Sequence, residues 1–526
     1  MKRFQTNYEN LGEFDKALEN FTEVLEMKER LLCDDPSNIE LQKELFENLD
    51  KVGKIYENVG EIKKALTYYM RCIEIMESLV KKDPGRTDWQ RDLGASLNNV
   101  GRIYESFGEA EKALEYYIRA LEISYSLVKK DPGRTDWQRD LGVSLNNVGR
   151  IHEGLGEGEK ALEYYVRSLE ISESLEKKEP GRTDWQSRLG AILSNLGRIY
   201  ENLGEGEKAL KYYLRDLEIS VSLVKKDPGR TDWLRDWGVS LNNVGRIYDG
   251  LGEGEKALEY YMGSLEAMES LMMKDPGRPD WQRELGVSLN NVGRIYESFG
   301  EAEKALEYYI RALEISYSLV KKDPGRTDWQ RDLGVSLNNV GRIHEGLGEG
   351  EKALEYYVRS LEISESLEKK EPGRTDWQSD LGVSLSNVGR IYESLGEGEK
   401  ALGYYMRSLV IMESLVKKEP GRTDWQRELG VSLNNVGRIH EGLGEGEKAL
   451  EYYNRLLEIM ESLVKKEPGR TDWQRDLGVS LNNVGRIFES LGEGEKALEY
   501  YSRALKIKRL LVEKEPEVVD RYIGLA

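Results

Sequence analysis

A proline recurs every 48 residues, at Pro36, Pro84, Pro132, Pro180, Pro228, Pro276, Pro324, Pro372, Pro420, Pro468 and Pro516, and no insertion interrupts the spacing. A fixed period of this length points to a stacked solenoid, in which one supersecondary unit repeats and each copy buries its apolar side only against its neighbours. It replaces the three or four globular domains that 526 residues would otherwise suggest with one elongated array. Residues 1–35 read as an N-terminal half repeat, with Tyr8, Leu11 and Gly12 standing where Tyr104, Phe107 and Gly108 stand. Residues 36–515 read as ten repeats, and 516–526, through Glu517 to Ile523, as the start of a truncated further repeat. Residues 96–187 are identical to 288–379, an offset of four repeats, which a recent block duplication explains. Neither end carries a polar capping helix, so the ends are expected to meet something else or to belong to a larger design.

Within one repeat, Thr87 and Gln90 have the spacing of a capping box and are expected to open a helix A. Its apolar residues Trp89, Leu93, Leu97, Val100, Tyr104 and Phe107 recur at threes and fours, which places them on one stripe, and Gly108 supplies the stop. A second stripe, Ala113, Leu114, Tyr117, Ala120, Leu121, Ser124, Leu127 and Val128, predicts helix B, with Glu109 and Glu111 at its start and Lys129 and Lys130 at its end, both suited to the helix dipole. Pro132 excludes the helical conformation at Asp131, and Pro-Gly turns the chain into the next helix A. The unit is a helical hairpin.

Asn99-Val100-Gly101, Tyr104, Gly108, Ala113, Tyr117 and Ala120 fall at the spacings of the tetratricopeptide repeat, and the chain resembles the long-repeat arrays of that family found in prokaryotes. The family motif is usually 34 residues; here helix A is longer at its start and helix B at its end. The resemblance implies an all-α fold, a right-handed α-solenoid superhelix of TPR-like helical hairpins. It also implies protein binding rather than catalysis.

The charge balance narrows the partners. A net charge of −19 and a pI near 5.1 repel nucleic acid and anionic membranes, so neither is expected as a partner. No run of eighteen apolar residues and no signal sequence after Met1-Lys2-Arg3-Phe4 are found, which predicts a soluble, cytoplasmic chain. Cys33 and Cys72 fit no metal spacing.

Other chemistry is filtered out by phase. His152, His344 and His440 occupy the position held elsewhere by Tyr104, Tyr296 or Phe488, so they read as packing residues. Trp89 and its equivalents share one phase near the start of helix A and read as wedges between helices, with Trp237 the one extra tryptophan. Gly-Glu-Gly-Glu-Lys at 156–160 lacks the spacing and hydroxyl of a phosphate loop. Asn20-Phe21-Thr22 matches a glycosylation acceptor but lies in an expected helix. Asp216 and Leu456 stand where Ala or Ser otherwise stand, which marks them as points of local strain in a tight helix contact. No catalytic residues, cofactor or metal are expected.

One constellation passes the filter. Asn98, Asn99, Arg102 and Glu105 share a polar face of helix A, and the pair repeats as Asn147 and Arg150, Asn195 and Arg198, Asn243 and Arg246, Asn291 and Arg294, Asn339 and Arg342, Asn387 and Arg390, Asn435 and Arg438, and Asn483 and Arg486. Asparagine offers donor and acceptor to an extended backbone, and arginine a fork to carboxylates. The row is similar to the asparagine ladders and carboxylate clamps of peptide-binding tetratricopeptide proteins, which implies a concave groove holding an extended, acidic peptide of a protein partner. The bland alternative is that Arg102 pairs with Glu105 or its neighbour and the face is merely solvated. Two other functions stay open: a regulatory or sensing arm whose effector lies on another chain, and a structural rod self-associating end to end through its open ends.

Overall fold

The protein is described from a computed structural model, in which residues 11–514 form twenty-one helices and, among the described residues, no strand. Tyr8 of the half repeat and the further helix expected through Glu517–Ile523 lie outside the described residues. The chain divides into two compact units, Met1–Ala267 and Met268–Ala526.

The first unit holds α1 (Leu11–Asp34), α2 (Ile39–Asn58), α3 (Ile62–Lys82), α4 (Thr87–Ser106), α5 (Ala110–Lys130), α6 (Thr135–Gly154), α7 (Gly158–Lys178), α8 (Thr183–Asn202), α9 (Gly206–Lys226), α10 (Thr231–Gly250) and the first turns of α11 (Gly254–Lys274). Each helix packs on the one before and the one after, and alternate helices α4, α6 and α8 also touch. Its core joins both stripes: Leu93, Leu97 and Val100 of α4 pack with the α2–α3 hairpin, while Ala113, Tyr117 and Leu121 of α5 pack with Leu145 and Val148 of α6.

The second unit repeats the plan with α12 (Pro279–Ser298), α13 (Ala302–Lys322), α14 (Thr327–Gly346), α15 (Gly350–Lys370), α16 (Thr375–Ser394), α17 (Gly398–Lys418), α18 (Thr423–Gly442), α19 (Gly446–Lys466), α20 (Thr471–Ser490) and α21 (Gly494–Lys514). Ala305, Tyr309 and Leu313 of α13 meet Leu337 and Val340 of α14, the equivalents of the α5–α6 contact. The even-numbered helices from α2 onward are the predicted helices A and the odd-numbered ones from α3 onward the predicted helices B.

The two turns have distinct chemistry. Between α4 and α5, Gly108 adopts φ +74°, its N–H donates to Glu105 O at 3.0 Å, and Glu109 N–H donates to Tyr104 O at 3.0 Å. That is a Schellman stop, and only the left-handed residue needs to be glycine. Between α5 and α6, Asp131 is extended, as the following proline demands, and its Oδ1 accepts from Gly133 N–H at 3.0 Å.

The capping box at Thr87 does not form. Thr87 is already the first helical residue, the cap is Arg86, and no side chain there accepts a backbone N–H. Gln90 instead donates from Nε2 to Pro84 O at 3.0 Å, across the Pro-Gly turn, and its Oε1 accepts from Lys130 Nζ at 2.9 Å, which ties the end of α5 to the start of α4. A capping side chain appears at α2, where Asn38 stands in the phase of Arg86 and accepts from Leu41 N–H at 3.0 Å. Arg86 lies over the Trp89 ring at 4.4 Å, and Trp89 is buried beneath it, as a wedge residue should be. Thr22 lies inside α1 and its hydroxyl donates to Leu18 O, so Asn20-Phe21-Thr22 is helical.

Candidate protein-binding face

The face begins with how closely helices A and B approach. A Cβ placed on Gly101 would sit 2.7 Å from the Tyr117 ring, so the absence of a side chain lets Tyr117 of α5 lie flat against α4. Tyr117 is buried, and its hydroxyl emerges at the rim, where it donates to Glu105 Oε2 at 2.9 Å. Burial, and then the Glu105 carboxylate, push the Tyr117 phenol well above its usual range, so it is a permanent donor.

Glu105 in turn receives Arg150 from the next repeat, Nε to Oε1 at 2.6 Å and Nη2 to Oε2 at 2.7 Å. Burial disfavours charge on Arg150, and the hydrogen bonds and charge of Glu105 more than offset it, holding the guanidinium above its ordinary value. The pattern recurs in the first unit as Arg102 with Glu57, Arg198 with Glu153 and Arg246 with Glu201, and in the second as Arg342 with Glu297, Arg390 with Glu345, Arg438 with Glu393 and Arg486 with Glu441. The asparagines are linked the same way: Asn147 Nδ2 donates to Asn98 Oδ1 at 3.2 Å, Asn195 to Asn146 at 2.9 Å, Asn339 to Asn290 at 3.2 Å and Asn483 to Asn434 at 2.8 Å. Asn243 donates to Ser194 at 3.4 Å, and Asn387 and Asn435 accept from Arg390 and Arg438 on their own helices. Asn99 likewise accepts from Arg102. Asn291 and Arg294 are also engaged. The predicted row is therefore brought together along helix A in each unit, with donors and acceptors that already fasten one repeat to the next.

The histidine phase is an aromatic stack. Tyr104 lies on Tyr116 at 5.5 Å, His152 on Tyr164 at 5.4 Å, His344 on Tyr356 at 5.5 Å and Phe488 on Tyr500 at 5.5 Å. Histidine adds one polar contact: His344 Nδ1 lies 2.6 Å from Glu349 Oε2.

Beside the ladder runs a feature that the apolar stripe does not contain. Val287, Val335, Val383, Val431 and Val479 share the phase of Ala95 on helix A and are exposed, at 46, 47, 38, 46 and 52%. Val287, Val335 and Val383 rim small crevices between repeats: one of about 90 Å³ bordered by Arg283, Val287, Asn290 and Ile315, and another of about 150 Å³ bordered by Arg331, Val335, Asn338 and Ile363. The signal in the sequence was an apolar residue recurring off the buried stripe.

Tetratricopeptide repeat family models match residues 47–77, 93–131, 141–179, 192–230, 288–326, 333–371, 384–417 and 428–509, and the chain belongs to the tetratricopeptide repeat family. No curated protein matches the sequence. Among solved structures the chain is similar to apo RapI, at a TM-score of 0.51 and 15% identity over 80% of this chain and 99% of that one, a likeness of fold. Also similar are a Rap protein complexed with competence and sporulation factor, at 0.44 and 16% over 80% and 99%, and BtubC (BKLC) from P. vanneervenii, at 0.40 and 22% over 50% and 94%. The fold is a helical repeat solenoid of tetratricopeptide type, a class of protein-interaction scaffold.

Proposed function

We propose that the chain is a non-enzymatic scaffold whose helix A face receives an extended, acidic segment of a protein partner. The observation that carries this is the repetition, at one phase of helix A, of an exposed valine, which at Val287, Val335 and Val383 rims a crevice between repeats beside an arginine and an asparagine. A partner in extended form gains a small apolar contact at each repeat and polar contacts from the asparagine and arginine row, so affinity accumulates over successive repeats rather than at one point. In each unit the asparagines and arginines of helix A, Asn99 and Arg102 to Asn243 and Arg246 in the first and Asn291 and Arg294 to Asn483 and Arg486 in the second, border the path, and pairs such as Arg150 with Glu105 tie adjacent repeats together. An acidic segment reaching them competes with the glutamates already in place.

Changing Val287, Val335 and Val383 together to Glu tests this without touching the buried stripe. Helicity and melting temperature should hold, and capture of protein from the native cell by the purified chain should fall. Equal recovery of the same proteins by wild type and variant would place binding elsewhere.

A further inference from the structure

On helix A the residue in the phase of Asp92 is Asp or Glu in every repeat from Glu44 to Asp476 except one, where it is Arg188. Where the earlier repeat carries an arginine in the matching phase, this acid receives it: Arg91 reaches Asp140 at 2.6 Å, Arg331 reaches Asp380 at 2.5 Å and Arg427 reaches Asp476 at 3.2 Å. Arg139 has no such acceptor, because the next repeat presents Arg188 in its place. It folds back onto its own neighbour Asp140 at 2.7 Å, a carboxylate that Arg91 already holds. Arg188 makes no hydrogen bond or ion pair with any described residue, and Asp184, one turn earlier, is committed to Arg182 at 2.7 Å.

Arg139 and Arg188 both line one crevice of about 180 Å³, with Ile171, Leu175, Ile192 and Trp185. A water takes about 30 Å³ of liquid, so a carboxylate with a few waters fits. Burial, and then the charge of Arg139, push the Arg188 guanidinium below its ordinary value. The chain contains its own control. Residues 96–187 and 288–379 are identical, and the first difference after them is Arg188 against Asp380. In the second copy the crevice of about 150 Å³ is lined by Arg331 paired with Asp380.

We propose that the Arg139–Arg188 crevice is an anion site that takes the carboxylate of an acidic side chain from an extended partner segment. Two arginine side chains border one space, the apolar lining accepts the side chain's methylenes, and Asp184 and Asp140 act on Arg188 through space without an ion pair to it. Arg139 and Arg188 precede the matched segments 141–179 and 192–230, so both arginines lie ahead of the repeat motif on the added first turns of helix A, while Ile171, Leu175 and Ile192 of the lining belong to it. That the occupant is a protein segment rests on the function proposed above; the charge inversion does not.

Fluorescein-labelled deca-glutamate, titrated with the full chain at near-physiological salt and followed by anisotropy, tests the site. Wild type should bind one equivalent. Arg188→Asp recreates the Ser379-Asp380 sequence found elsewhere in the chain, so it should fold, and it should bind at least about tenfold more weakly. Asp380→Arg should raise the stoichiometry to two. No binding by wild type, equal binding by Arg188→Asp, or unchanged stoichiometry in Asp380→Arg would overturn the site. A site emptied by millimolar inorganic phosphate would overturn the acidic side chain as its occupant. The valine variants are read by partner capture, so failure here leaves that test standing.

Discussion

Arg150 and Glu105 belong to different repeats and form a two-pronged pair, Nε to Oε1 at 2.6 Å and Nη2 to Oε2 at 2.7 Å, with the Tyr117 hydroxyl closing on the same carboxylate. A hairpin alone holds only part of this network, so its stabilisation is a property of stacking. Both side chains are partly exposed, which limits the pair to a coupling of about 1 kcal/mol. A double-mutant cycle of Arg150→Ala and Glu105→Ala, read by hydrogen exchange of α4 and α6, should return that coupling. A coupling near zero would reduce the ladder to a solvated face.

Gly101 and Tyr117 make a second, steric prediction. Gly101→Ala puts a methyl group 2.7 Å from the ring of a buried tyrosine, and overpacking of this kind costs about 1–3 kcal/mol. Denaturant unfolding should show the loss. Gly154→Ala, which meets open space, should show none.

Asp216 ties stability to pH. It is buried, its Oδ2 accepts from Ser240 at 2.8 Å, and burial first, then the neighbouring Asp236, raises its pKa to about 7. Since the folded value lies above the unfolded one, its contribution is fully present below about pH 4 and is lost as pH rises through about 7. In the same phase Ser168 is neutral and donates to Gly142 O at 2.8 Å. Asp216→Ser should therefore gain stability over wild type between pH 5 and 8, by up to about 4 kcal/mol for a shift of this size. Melting curves of both proteins across that range check it. A constant difference would contradict it.

His344→Tyr should change the melting temperature little. The ring keeps its stack on Tyr356, and the lost contact to Glu349 is replaced by the lysine–ring contact seen at Tyr296, where Lys304 lies 5.1 Å from the ring. A drop of several degrees would make the histidine contact structural in its own right.

Period and phase made most of this fold readable before any coordinates. The 48-residue proline interval set the hairpin, Gly108 set the turn, and the equivalence of Tyr104, His152 and Phe488 identified a stacking position. Helix A begins at Thr87 as its sequence indicates, but the capping box of Thr87 and Gln90 does not form, because a capping box is a local pattern while Gln90 is claimed by Pro84 and by Lys130, forty residues away. The ladder was visible as residue types, and pairing with a glutamate of the neighbouring repeat stood as its alternative reading; the structure makes that pairing, with Arg150 finding its acid 45 residues earlier. Arg188 was passed over for a different reason: a reading based on what recurs gives no weight to the one position where a charge inverts.

The central claim is that the helix A face meets the partner, and site-specific photocrosslinking tests it most directly. p-Benzoylphenylalanine in place of Val335, exposed on α14, should crosslink to a protein in the native cell, and the same residue in place of Glu362, exposed on α15, should not. Crosslinks from position 362 with none from position 335 would contradict the account and move the binding face to helix B.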